Sequence, residues 1–190
     1  MQTNLLWTGL EYHSLENCLV KAGETGSEIT STIIGSYEGK IFKVEYRIET
    51  NPNWETVFFE IISRHSDQVR SIRFEGDGKG IWTNDGKIAS QFTGCIDVDI
   101  SLTPFTNTLP IRRLNLSRNQ PKEIHVLYCD VLEQQLKAVR QKYTCVSNST
   151  YYFENVPNDF EAILEVDEAG FVIDYQNLFQ RTAVLQTNYR

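Results

Sequence analysis

The sequence predicts a mostly β, single-domain protein of antiparallel strands with one or two short helices. Two observations carry that reading. At least six segments alternate apolar and polar residues with the period of two that places successive side chains on opposite faces of a strand. Short turn signals separate them, without the long helical stretches that βαβ units and a parallel sheet require. A chain of 190 residues can bury a substantial core and is most simply one domain, residues 1–190.

Taken in order, SLENCLV (14–20) reads either as a helical turn capped by Ser14 or as a strand. KIFKVEYRI (40–48) alternates Lys43, Glu45 and Arg47 against Phe42, Val44, Tyr46 and Ile48, with only Ile41 out of pattern. Asn51-Pro52-Asn53 supplies turn chemistry. VFFEII (57–62) is apolar at five of six positions, so both of its faces avoid water. An antiparallel sheet normally wets one face, so this strand needs a second cover: another layer, a partner subunit or an apolar ligand.

VRSIRF (69–74) precedes the turn EGDGKG (75–80), and IWT precedes NDG (84–86); both turns call for positive φ. KIASQF, CIDVDISL, PIRRLNL and EIHVLYCDV continue as strands, followed by STYYFENV, FEAILEV and FVIDY near the C-terminus. Between Val131 and Tyr143 a helical stripe of Val131, Leu132, Gln135, Leu136 and Val139 competes with a strand reading, and the sequence leaves both open.

Composition bounds the function. Hydrophobic content of 41% and charged content of 23% are ordinary for a globular protein. Net charge −7 and a pI near 5.0 argue against nucleic acid and anionic bilayers as partners. No 18-residue apolar run and no basic, apolar leader is present, so the expected location is the cytoplasm, with no integral membrane segment. Cys18, Cys95, Cys129 and Cys145 stand far apart, as do the three histidines, which predicts buried thiols and neither a metal nor a cofactor. GDGKG lacks the spacing of a phosphate-binding loop.

The most informative stretch is CIDVDISLTPFTNTLPIRRL (95–114). Ile96, Val98, Ile100 and Leu102 fall on one face, and Cys95, Asp97, Asp99 and Ser101 on the other. Pro104 and Pro110 bracket a stiff polar loop. Asp97 and Asp99, two apart on a strand, would place β-carbons roughly 7 Å apart, where like charges repel unless solvated or neutralised. If 111–116 returns as the second strand of a hairpin, Arg113 joins both carboxylates and Arg112 points to the apolar side. That polar patch reads either as a headgroup site or as a salt-bridge network locking the loop.

The same run, with Trp7-Thr8-Gly9, Asp77 through Trp82, Gln141-Lys142-Tyr143 and Val166 through Arg181, resembles a bacterial family described as putative glycolipid-binding proteins. One departure is that Trp54-Glu55-Thr56 is followed by Val57 where the family pattern carries arginine. The resemblance implies a strongly curved, barrel-like or half-barrel sheet, similar in outline to bacterial lipoprotein-carrier proteins. It also implies an amphiphilic small molecule as partner.

The function expected from residues and resemblance together is non-catalytic binding of such a ligand, a glycolipid or similar, in a concave apolar cavity. Its candidate contacts are Trp54, Trp82, Asp97, Asp99, Phe105, Asn107, Arg112 and Arg113, with the two indoles at strand starts able to stack on a sugar or rim a cavity. Phe59 is the candidate for the apolar lining. A second reading is a hydrolase or transferase acting on a sugar or lipid through Asp97, Asp99 and Arg113, although two carboxylates on one strand do not face each other across a substrate. A third is an interaction protein whose apolar face forms a homodimer.

Overall fold

The computed structural model describes residues 1–65 and 68–187. Among them, fifteen strands form a single sheet, antiparallel at every pairing but one. The first meander comprises β1 (Gln2–Gly9), β2 (Ser14–Gly23), β3 (Gly26–Tyr37), β4 (Lys40–Thr50), β5 (Thr56–His65), β6 (Gln68–Gly76), β7 (Trp82–Asn84) and β8 (Lys87–Ile88). The short β9 (Asp97–Ile100) follows, then the helix α1 (Thr108–Leu114). A second meander runs through β10 (Pro121–Asp130), β11 (Gln135–Ser147), β12 (Thr150–Val156), β13 (Glu161–Val166), β14 (Val172–Tyr175) and β15 (Phe179–Thr187).

The last strand returns to the first: β15 pairs with β1, so the two meanders join in the middle of the sheet. Its edges are β8 and β9, and the sheet stays open. β9 lies parallel to β10, with Asp97 opposite Val126 and Asp99 opposite Tyr128. The mostly β, curved, antiparallel architecture is the one expected. No described helix is long and apolar enough to cross a membrane.

Period-two alternation builds the core directly. On β1, Leu5 and Trp7 turn inward; on β4, Phe42, Val44, Tyr46 and Ile48 do. Ile41, the residue that broke the pattern, stays 79% exposed. The concave side of the first meander is filled by residues from the crossing between β8 and β10. Phe92, Cys95, Val98, Ile100, Leu102, Phe105 and Leu109 pack there against Leu5, Trp7, Ile33 and Val44. A smaller cluster around Tyr143, Phe153, Leu164 and Phe179 occupies the second meander. The Trp7 indole N–H donates to the Val172 carbonyl at 2.9 Å and ties the two halves together.

Several local expectations change. Residues 108–114 form α1 and not a hairpin strand, because Pro110 sits in the first helical turn, where no N–H is required of it, and Asn115 ends the helix at φ 43°. Residues 14–20 and 135–143 are strand: each side of β2 and β11 has a hydrogen-bonded neighbour, and the ladders override the helical stripe. KIASQF is a two-residue strand followed by a 3₁₀ turn at Ser90–Phe92. Among the described residues, no second layer covers the outer face of β5. The guanidiniums of Arg47 and Arg73 instead cover the Phe58 ring at 5.5 and 5.2 Å.

Candidate functional site

Building outward from β9 shows why the two aspartates differ. Asp97 is fully buried, and Arg113 reaches it from the last turn of α1. Arg113 Nε donates to Oδ1 at 3.1 Å and Nη2 to Oδ2 at 2.6 Å, a two-point contact that consumes both groups. Burial pushes the Asp97 carboxyl up and the guanidinium holds it partly back. Of the Asp97, Asp99 and Arg113 patch read from the sequence, this pair takes in Asp97 and Arg113 alone.

Asp99 is half-buried and faces elsewhere. Its Oδ1 accepts from the Thr106 hydroxyl at 3.0 Å and its Oδ2 from Gln141 Nε2 at 2.6 Å. Burial pushes its carboxyl up, the two hydrogen bonds oppose that, and the neighbouring Asp97 charge adds to it. The Tyr143 hydroxyl donates to Asn107 Oδ1 at 2.9 Å and lies 3.4 Å from Gln141 Oε1. A chain of fixed amides and hydroxyls thus spans the 103–107 loop and β11.

That chain ends at a cavity of about 520 Å³ inside the second meander. Asp99, Asn107, Gln141, Phe153, Tyr175 and Phe179 lie deep in it, whereas Glu11, Lys137, Arg140, Asp159 and Phe160 stand at its exposed mouth. Tyr12 and Tyr128 line the wall between. Burial pushes the Tyr12 phenol up to about 12, with the charges of Glu11, Asp130 and Asp99 adding to it. Tyr128 and Tyr175 are raised in the same way, burial first and the Asp99 charge next. The volume falls within the roughly 300–1,000 Å³ of ordinary small-molecule sites.

Of the eight residues singled out by sequence, Asp99 and Asn107 line this cavity. The other six lie elsewhere. Trp82 is buried at 1% exposure in the first core and donates its indole N–H to the Cys95 carbonyl at 2.7 Å. Phe105 packs in the same core, 6.4 Å from the Phe171 ring. Arg112 and Trp54 meet each other, with the guanidinium 4.6 Å above the indole and Nη1 donating to the Ala169 carbonyl at 2.6 Å. Asp97 and Arg113 form the buried pair. Phe59 sits fully buried among Phe74 and Trp82, in closed packing and not at a cavity.

The residues missed by sequence are Tyr12, Tyr128, Gln141, Phe153, Tyr175 and Phe179. Gln141 stood within the Gln-x-Tyr match, and its alternation with Tyr143 and Cys145 on β11 was the available signal. The others come from four strands and one turn that meet only once the second meander curls.

A second polar cluster lies on the opposite side of the 103–107 loop. Glu16, 2% exposed on the inward face of β2, accepts through Oε1 from Tyr46 at 2.7 Å, Ser31 at 2.8 Å and Thr103 at 2.9 Å. Its Oε2 is buried with no partner among the described residues. Burial pushes the carboxyl up to about 7, while the three hydroxyls oppose the rise.

Residues 4–181 match the family described as "Putative glycolipid-binding". The chain belongs to that family. It is also similar to the crystal structure of a DUF1089 family protein from Pseudomonas aeruginosa, at 34% identity and a TM-score of 0.81, over 88% of this chain and 92% of that one. Among curated proteins none matches.

Proposed function

We propose that this protein binds an amphiphilic small molecule, in keeping with the family's name, and holds it without chemical change in the cavity of the second meander. The observation that carries this reading is the contrast between the two halves. The concave side of the first is packed solid by the 89–111 crossing, while the second keeps about 520 Å³ open between aromatic walls and a polar floor. Each methylene buried against Phe153, Phe160, Leu178 or Phe179 is worth about 0.8 kcal/mol, so a tail of about eight supplies roughly 6 of the about 8 kcal/mol that micromolar affinity needs. Polar groups at the floor then set orientation.

Native mass spectrometry of the intact protein, mixed with a neutral glycolipid carrying a short acyl chain, tests the reading. A one-to-one adduct that an apolar dye displaces from the cavity is the expected result. Failure to form adducts with any amphiphile at tens of micromolar concentration would remove it.

A further inference from the structure

We propose that two copies of this chain join through the open edge of β15, residues 183–187 pairing antiparallel with themselves about a two-fold axis at Leu185. The contact is separate from the cavity and does not rest on ligand binding.

The edge follows from unequal strand lengths. β14 has four residues and β15 nine, and the two pair only at Asp174 with Gln180 and at Tyr175 with Phe179. β1 continues beside β15 as far as Thr187. From 181 to 187, therefore, β15 has a ladder neighbour on one side alone among the described residues, and no turn or loop backbone bonds it from the other. The register shift between Leu6 and Trp7 sets Thr182 aside as a bulge and leaves 183–187 as a regular strand. All five of these residues are exposed, Val184 at 48% and Leu185 at 64%. A row of open N–H and C=O groups at strand spacing is the template for one further strand.

What distinguishes this edge is that nothing guards it. Proteins blunt open edges with charge, proline or cover. Residues 68–74 of β6, open beyond β7, carry Arg70 and Arg73. Residues 121–125 of β10, open beyond β9, carry Pro121, Lys122 and Glu123, and residues 135–139 of β11, open before β12, carry Lys137. Residues 182–187 read TAVLQT, without charge, proline or glycine. The run is also its own complement. Directly opposite residues of an antiparallel pair share a face, so a two-fold axis normal to the sheet has to pass through a residue. Set at Leu185, the axis places Leu185 against its own copy on the outer face, the side of its neighbour Asn4. Val184 then meets Gln186 on the inner face, the side of buried Leu5. No like charges meet across the pair, which matters because each copy carries a net charge of −7. Self-pairing of β6 would instead bring arginines of both copies together.

So short a strand pair falls below the roughly 1,200–2,000 Å² of a standard stable interface, and the dimer is expected to form reversibly at about 100 µM. Sedimentation velocity of the full chain from about 5 to about 500 µM reads it, and amide hydrogen exchange at 183–187 should slow in parallel. Raising sodium chloride from about 0.05 to about 0.5 M should strengthen the association, because salt screens two acidic chains while the paired strands hold no ions. Leu185→Lys sets two cations opposite each other and should weaken dimerisation at least tenfold, with an unchanged circular dichroism spectrum. Val69→Lys, at a position 64% exposed on the β6 edge, should leave it unchanged. A monomer at every concentration overturns the proposal, and one that binds a free peptide of sequence RTAVLQT overturns it in favour of a foreign strand. A dimer that withstands Leu185→Lys, or that Val69→Lys disrupts equally, places the interface elsewhere and overturns it too. The exchange measurement needs no variant: unslowed exchange at 183–187 in a dimer refutes the pairing even if Leu185→Lys fails to fold.

Discussion

Arg113 reaches back sixteen residues from the end of α1 to hold both carboxylate oxygens of Asp97 on β9, with the carboxylate side chain 1% exposed and the guanidinium 14%. The contact fixes where the helix sits relative to the strand, and so fixes the 103–107 loop that carries Thr106 and Asn107 to the cavity.

Breaking that pair from either side should differ in cost. Removing Arg113 leaves a carboxylate with no route to water, whereas removing Asp97 leaves a guanidinium near the surface that can rehydrate. Arg113→Ala is therefore expected to destabilise by ~3–5 kcal/mol, and Asp97→Asn by distinctly less. Urea denaturation of both variants measures this. A loss under ~0.5 kcal/mol for Arg113→Ala would mean that the pair contributes nothing to the fold.

The sequence announced this neighbourhood but not its geometry. Alternation over 95–102 was legible because β9 obeys it, yet continuing the alternation through Ile111-Arg112-Arg113-Leu114 produced a false strand. The residues before and after Pro110 look identical in a helix's first turn and at a strand edge, and only the packing of Leu109 and Ile111 decides between them. Trp82 misled for a related reason. A tryptophan beside a turn reads as a rim residue, but β7 folds back onto Phe59 and Phe74 and buries the indole. The cavity was illegible because its floor combines β9, β11, β14 and the turn after β1, a juxtaposition that exists only after the second meander rejoins the first.

Glu16 predicts a pH dependence. Its carboxyl titrates near 7 in the folded protein and about 4.3 in an unfolded chain. The folded state thus holds the proton more tightly. Its stabilising effect is complete below the unfolded value and is lost as pH rises through about 7, at up to ~1.4 kcal/mol per pH unit. Glu16→Gln stays neutral throughout. The variant should match the wild type near pH 4 and exceed it in stability by up to ~3–4 kcal/mol near pH 8. A pH-independent difference would show that Glu16 does not titrate in this window.

Gly80 predicts a steric limit. It adopts φ +93°, and a β-carbon there would lie 2.8, 2.9 and 3.0 Å from Gly94 Cα, C and N, all of them backbone that cannot step aside. Gly80 also accepts the Gly94 N–H at 2.8 Å, which anchors the crossing chain to the β6–β7 turn. Gly80→Ala should cost ~1–3 kcal/mol, whereas Gly86→Ala, at φ +74° with open space around it, should cost less. Thermal melts of the two variants check the order, and a reversed order would contradict the close approach.

The two halves of the molecule should respond oppositely to one kind of substitution. Phe59 is fully buried against Phe74 at 5.4 Å and Trp82 at 5.3 Å, with no space beside it, so Phe59→Asp places an unpaired carboxylate in closed packing and is expected to prevent folding. Phe160 stands 36% exposed at the cavity mouth, where an aspartate can reach water. Phe160→Asp should therefore retain the β-dominated circular dichroism spectrum and lose less than ~1 kcal/mol of stability. It should also weaken binding of a short-chain alkyl glycoside about tenfold, because the tail loses its apolar exit and meets a charge there instead. Full binding by a folded Phe160→Asp variant would place the ligand somewhere other than this cavity. Binding lost together with the fold would show that the packing of Phe160 on Phe153 at 6.0 Å and Tyr175 at 6.3 Å outweighs its exposure at the mouth.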